Sequence, residues 1–354
     1  MNIGLLARKT LHSQPGGDTV QVKQSAAALE RLGHTCFIIT SGTALPKDLD
    51  ALHFFNLGRP ADALSYFKNF PGKKIISTVF VDYSRADQIR FPRLSRLLGS
   101  HRIEFLKTLA RAINGSDKWP CLDYLRLGQK RSMKRVLDQA NVVITSSMSE
   151  LTRISEWSNH LSKSITDKHR LIPLGLDDCF IFNKPSGKQK QGILLVGRIE
   201  HLKNQLQVIQ WATKNNWPLT VVGDANANQL NYYKRCIESA GAHVDFIPHQ
   251  SRQNVLKLMQ AHRLLIVPSF FETYSIVAWE AAALGLNVIA NDVDDMRETL
   301  AEVSQVCDFT NEESTLRTIS ENLLPGSSQQ KKSQAWFENY TWDAIGLQLE
   351  KVYQ

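Results

Sequence analysis

Two carboxylates, Glu272 and Glu280, stand eight residues apart in Pro268-Ser-Phe-Phe-Glu-Thr-Tyr-Ser-Ile-Val-Ala-Trp-Glu280. Upstream, Gly197-Arg198-Ile-Glu-His-Leu-Lys203 brackets another turn with two cations. A carboxylate accepts hydrogen bonds from neighbouring hydroxyls, an arginine offers a planar fork to phosphate oxygens, and a lysine adds a mobile point charge. With the outward-pointing amides of helix N-termini, the set suits a ligand that is both anionic and polyhydroxylated, as a nucleotide sugar is. Arg198 and Lys203 would also stabilise the charge that develops on a departing diphosphate, without a divalent metal. Each residue alone has a plainer reading: surface cations for Arg198 and Lys203, a helix-end charge for Glu272, a salt-bridge partner for Glu280. Glu280 lies in an otherwise apolar helix, where an unpartnered carboxylate is strongly disfavoured, so it needs a counter-ion or a ligand.

Strands that end together are required to gather these groups. The second half alternates strands Ile193 to Val196, Leu219 to Val222, Val244 to Ile247, Leu264 to Val267 and Asn287 to Ala290 with helices near Asn204 to Thr213, Asn228 to Ala240, Gln253 to Ala261, Ile276 to Leu284 and Met296 to Val303. Such alternation predicts an open parallel sheet with ligands outside the carboxyl ends of its strands. Arg198, Gly223-Asp224, His249-Gln250 and Ser269 to Glu272 all fall at those ends.

The first half begins with strand Asn2 to Ala7, a loop containing Gly16-Gly17, a helix from about Thr19 to Leu32 capped by Asp18 and closed by Gly33, and strand Thr35 to Thr40. Further strands are expected at Ala51 to Phe55, Lys74 to Phe80, Asn141 to Thr145 and His169 to Pro173. The expected organisation is an N-terminal domain over 1–182 with a basic helical insertion near 85–135, a breaker-rich linker over 183–192, a C-terminal domain over 193–335, and an amphipathic helix over 336–354.

At 354 residues and 43% hydrophobic composition the chain suits two domains. No apolar run is long enough for a transmembrane helix, and the first residues lack the charged flank and cleavage site of a leader, so a cytoplasmic enzyme is expected. Five scattered cysteines show no metal or redox spacing. Of the net charge of +8, the whole excess lies between Arg85 and Arg135, where thirteen Lys or Arg face four acids and Phe91, Phe105, Trp119 and Tyr124 are interleaved. Arg126, Lys130, Arg131 and Lys134 make this stretch a candidate docking face for anionic lipid or an acceptor; a solvated helical face is the alternative. Without a stacking motif or recognition helix, nucleic acid is not an expected partner. Neither Gly-x-Gly-x-x-Gly nor a Gly-Lys-Ser/Thr phosphate loop occurs, which argues against hydride transfer and ATP hydrolysis.

The chain resembles glycosyltransferase family 4, the retaining nucleotide-sugar transferases of GT-B fold, through Gly197-Arg198…Lys203, Val221-Val-Gly223-Asp224, and Glu272 to Glu280 followed by Ala-Ala-Ala-Leu-Gly285. Looser similarity runs through Gly16-Gly17, Leu32-Gly33-His34, Ala140 to Ser147, Ile172 to Asp177 and Tyr340-Thr-Trp342. The resemblance implies two Rossmann-like domains facing each other across a cleft, with the last helix crossing back to the first. It also implies that Arg198 and Lys203 hold the diphosphate, Glu280 the ribose, and Glu272 with the amides of Thr273, Tyr274 and Ser275 the donor sugar. Gly16 and Gly17 would border the phosphate side, Gly223 the donor pocket, and His249-Gln250 the base.

Three positions depart from the family pattern. Ser275 replaces the usual glycine, Leu174 an asparagine, and Thr78-Val-Phe-Val-Asp82 a segment that often carries a histidine, leaving Asp82 as the acceptor-side polar group. The expected activity is retaining, metal-independent transfer to a glycan or glycolipid hydroxyl in cell-surface polysaccharide or lipopolysaccharide-type assembly, with no cofactor, in the cytoplasm or on the inner membrane face. A catalytically silent binding subunit, or a phosphorylase or epimerase on the same frame, are the alternatives.

Overall fold

The computed structural model describes residues 1–14, 16–81, 92–158, 163–183, 191–327, 329 and 332–354. The chain forms two compact units, Met1–Gly175 with Trp342–Gln354, and Leu176–Thr341. The unit boundary therefore precedes the expected linker over 183–192, of which 184–190 lie outside the described residues.

In the first unit, β1 (Asn2–Ala7), β2 (Thr35–Thr40), β3 (Ala51–Phe55), β4 (Lys73–Ser77), β5 (Val142–Thr145) and β6 (His169–Leu171) form one parallel sheet in the order β2-β1-β3-β4-β5-β6. β1 and β3 are nearly continuous apolar runs because helices cover both faces of a parallel sheet. The helix Gly17–Arg31 is capped by Gly16, whose amide donates to Thr19 Oγ1 at 3.1 Å. The expected cap Asp18 instead receives Arg8 Nε at 2.6 Å. The helix closes as expected at Gly33, which adopts φ 88° while His34 N returns to Leu29 O at 3.1 Å.

The strand expected to reach Phe80 stops at Ser77. Buried Glu150 captures the chain there: Oε1 accepts from Thr78 Oγ1 and Phe80 N, both at 2.6 Å, and Oε2 accepts from Ser146 N at 2.8 Å and Ser146 Oγ at 2.9 Å. The terminal helix is two helices, Gln334–Glu338 and Trp342–Tyr353. Only the latter belongs to the first unit, where Trp342, Ile345, Leu349, Val352 and Tyr353 join the core around Ile3, Leu5 and Leu29. Burial of each such side chain contributes about 1.5–3 kcal/mol. Gly346 packs on Ala28 so closely that a Cβ would approach the Ala28 Cβ to 2.9 Å.

The second unit holds β7 (Ile193–Val196), β8 (Leu219–Val222), β9 (Val244–Ile247), β10 (Leu264–Val267), β11 (Asn287–Asn291) and β12 (Gln305–Cys307), all parallel, in the order β12-β11-β10-β7-β8-β9. β12 was not expected, and neither were the helices Pro60–Asn69 and Glu312–Leu323. Three residues carry no readable periodicity, whereas Pro60 at a helix start is a signal that the sequence did offer.

Candidate functional site

In the second sheet the strand order reverses between neighbouring β7 and β10, which pair through Ile193–Leu264 and Leu194–Leu265. Open parallel sheets bind ligands beyond the carboxyl ends of the strands at such a switch point. Arg198 follows β7 and Glu272 follows β10, so the sheet brings both segments to this edge. Phe270 N donates to Leu202 O at 2.9 Å, tying the loop after β10 to the single turn His201–Lys203. Across that tie, Lys203 Nζ donates to the Glu272 carboxylate, with both groups partly exposed. The predicted cation and acid thus meet each other in this structure. Arg198 is anchored by its backbone, since Gln205 Nε2 donates to its carbonyl at 2.8 Å, while its half-exposed guanidinium reaches Glu200 only at 3.4 Å.

Glu280 lies apart from that pair in bonding terms. Buried in the helix Ile276–Ala283, its Oε1 accepts from Arg252 Nη2, and Arg252 Nε donates to Asp177. Phe180 lies 4.9 Å from the Arg252 guanidinium carbon. Among the described residues no hydrogen bond reaches Glu280 Oε2. Burial pushes the Glu280 carboxyl up to about 7, against the downward pull of Arg252. Sequence reasoning missed Arg252, which no motif marks, and gave Asp177 no role although it ends a segment carrying the family resemblance.

Ser275 adopts φ 54° and ψ 68° at the start of this helix, a left-handed conformation that explains why glycine is usual there. Its Oγ is buried without a hydrogen-bond partner among the described residues. Tyr274 is buried and stacks on Trp279 with ring centroids 5.4 Å apart, while Thr273 is half-buried. Gly223, at φ 143°, has a backbone reason for its identity: a Cβ would collide with the Gly197 carbonyl where β7 and β8 end. Asp224 accepts from His249 N at 3.2 Å, and Gln250 Nε2 donates to Pro248 O at 3.0 Å.

Gly16 and Gly17 belong to the first unit, where a Cβ on Gly17 would meet nothing within 4 Å. Asp82 lies outside the described residues. Arg126, Arg131 and Lys134 are exposed and Lys130 is half-buried on Leu122–Gln139. Two of the interleaved aromatics are not available to a partner: Tyr124 is fully buried and Phe105 stacks on it at 5.4 Å.

Residues 179–341 match the family described as Glycosyl transferases group 1. A D-inositol 3-phosphate glycosyltransferase of Mycolicibacterium paratuberculosis is 36% identical over 107 residues, 28% of this chain and 24% of that protein. The chain thus spans about a quarter of the length of that curated relative. Sucrose-phosphate synthase from Thermosynechococcus elongatus superposes with a TM-score of 0.76 at 17% identity, covering 100% of this chain and 98% of the other. Anabaena Alr3699/HepE, solved in complex with UDP, gives 0.71 at 13% identity and 99% coverage of each. The fold is GT-B, as the resemblance implied.

Proposed function

With residues 179–341 a group 1 glycosyl transferase domain, we propose that the protein transfers a sugar from a nucleoside diphosphate sugar to a glycan or glycolipid hydroxyl, retaining the anomeric configuration and using no metal. The observation that carries this reading is the convergence of Arg198, Lys203 and Glu272 on the switch-point edge of the second sheet. The incoming diphosphate takes Lys203 from Glu272 and draws Arg198 from solvent. Released from the lysine, Glu272 accepts from hydroxyls of the donor sugar beside the Thr273, Tyr274 and Ser275 amides. Glu280 Oε2 accepts from the ribose while Arg252 holds Oε1. His249 and Gln250 border the base.

Cleavage transfers the glycosidic electron pair to the diphosphate, whose charge Arg198 and Lys203 stabilise. A donor phosphate oxygen takes the acceptor proton as the new bond forms on the same face. The basic helices, with Arg126, Lys130, Arg131 and Lys134, place the enzyme at an anionic membrane surface, in keeping with a membrane-linked glycan as acceptor.

The reading is tested by incubating the protein with a panel of nucleoside diphosphate sugars in excess chelator and assigning released products by NMR. Nucleoside diphosphate and a sugar of unchanged anomeric configuration are expected. Release only with a divalent ion contradicts the metal-free mechanism, an inverted anomer contradicts retention, and isomerised donor without release identifies an epimerase.

A further inference from the structure

The two helices of the basic segment carry an apolar edge on the side that a solvated helix reserves for charge. In Pro92–Ile113, Arg102, Leu106, Ala110 and Ile113 recur at helical spacing and all are exposed, while Ile103 and Ala112 are buried. The turn that follows presents Trp119, and the next helix opens with Leu122, Leu125 and Arg126 exposed. Ile113 is 70%, Trp119 64% and Leu122 70% exposed, leaving large apolar side chains close together in the chain without cover.

The turn is also held firmly. Asp117 is buried and receives Arg59 Nη2 at 2.7 Å and Arg111 Nε at 2.8 Å, while Lys9 Nζ donates to Gly115 O at 2.9 Å. Gly128, at φ 68°, breaks Leu122–Gln139, and each part is anchored in the core, the first by Tyr124 and the second by Met133, Val136 and Leu137.

We propose that Ile113, Trp119 and Leu122 insert into the interfacial layer of an anionic membrane, with Arg102, Arg126, Arg131 and Lys134 meeting the lipid head groups around them. Charge selects this occupant. Among the described residues the segment's acids are engaged, Glu104 by Lys107, Asp117 by Arg59 and Arg111, and Asp123 by Lys68, leaving an apolar edge rimmed by cations. A second copy of this surface would bring like charges together, whereas anionic lipid answers both the charge and the exposed rings and alkyl groups. The inference rests on the docking reading above and adds insertion to it.

Co-sedimentation with vesicles of phosphatidylcholine, alone or mixed with phosphatidylglycerol, at low and high salt separates the two. The full chain should bind mixed vesicles strongly at low salt and retain a smaller bound fraction at high salt. Ile113→Asp with Leu122→Asp should abolish the salt-resistant fraction and weaken low-salt binding roughly tenfold or more. Arg126→Glu, Arg131→Glu and Lys134→Glu together should chiefly remove low-salt binding. Quenching of indole fluorescence by brominated lipid should be lost in Trp119→Phe.

Absence of binding by the unaltered chain overturns docking and insertion together. Binding lost on charge reversal but unchanged in the aspartate variant, with no Trp119 quenching, leaves docking standing and overturns insertion. A dimer in solution that Ile113→Asp separates assigns the edge to a second copy and also overturns insertion. These side chains are exposed, so unchanged melting of each variant establishes that it is folded.

Discussion

The two units each bury a glutamate at the carboxyl edge of a parallel sheet, and the two are partnered differently. Glu150, fully buried in the first unit, receives four donors on its two oxygens. Glu280, 3% exposed in the second, has one oxygen held by Arg252 and the other without a hydrogen bond among the described residues. The first carboxylate is completed by its own fold and serves as a brace. The second is oriented by Arg252 and Asp177 but retains acceptor capacity, as a ligand-binding carboxylate must. Burial alone therefore does not distinguish structural from functional acids; the count of satisfied acceptor sites does.

The sharpest break between the units is catalytic. Lys203→Ala should lower the transfer rate by roughly a hundredfold or more, with Arg198→Ala close behind, because each removes a charge aimed at the leaving group. Single-turnover rates with saturating donor measure this; unchanged rates would return both cations to the surface.

The glutamates should then dissociate cleanly. Glu150→Ala strands the Thr78, Phe80 and Ser146 donors and should destabilise by about 3–5 kcal/mol in denaturant titration, without a specific loss of nucleotide affinity in protein that stays folded. Glu280→Gln should change stability by less than about 1 kcal/mol, since Arg252 keeps Asp177, but weaken nucleoside diphosphate binding roughly tenfold through loss of a charged acceptor. A Glu280→Gln enzyme with full affinity would remove the ribose role.

Acidity should divide the units next. His53, buried between Tyr353 Oη at 2.5 Å and Ser77 Oγ at 2.8 Å, is pushed down to about 3 by burial. Its unfolded form binds the proton more tightly, so its stabilisation is complete above about 6.5 and is lost as pH falls toward 3. Glu280 has the opposite sign. Raised to about 7, it favours the folded state at low pH and loses that advantage as pH rises from about 4.5 to 7. Hydrogen exchange in Trp342–Tyr353 should accelerate on acidification, beyond the intrinsic rate change, and His53→Gln should flatten this response. Glu280→Gln should flatten the decline toward neutral pH in the second unit.

The smallest effect concerns Ser275. Its left-handed backbone disfavours a side chain, so Ser275→Gly should change stability by no more than about 1 kcal/mol in the stabilising direction. A clear loss would mean that the buried hydroxyl already has an internal role.

Much of this contrast was readable from sequence. Apolar runs of period-free strand alternating with amphipathic helices located β7 to β11, and the turns after them located Arg198, Gly223, His249 and Glu272. Pairing was not readable. Nothing in a linear pattern joins Asp177, Arg252 and Glu280, which come from the approach to a short helix, the first residue of the helix after β9 and the helix after β10. Gly223 looked like a ligand-facing glycine, while its identity follows from the Gly197 carbonyl on the adjacent strand. Phe105 and Tyr124 read as surface aromatics because a charge-rich segment masks the face that its helices bury.

If Arg198 and Lys203 receive a nucleoside diphosphate without a bridging metal, calorimetric titration of UDP in excess chelator will register it. Binding should persist in chelator and weaken about tenfold or more in Lys203→Ala, the loss expected for a charge-assisted contact. Equal affinity in the variant, or binding that appears only when magnesium is restored, would contradict it.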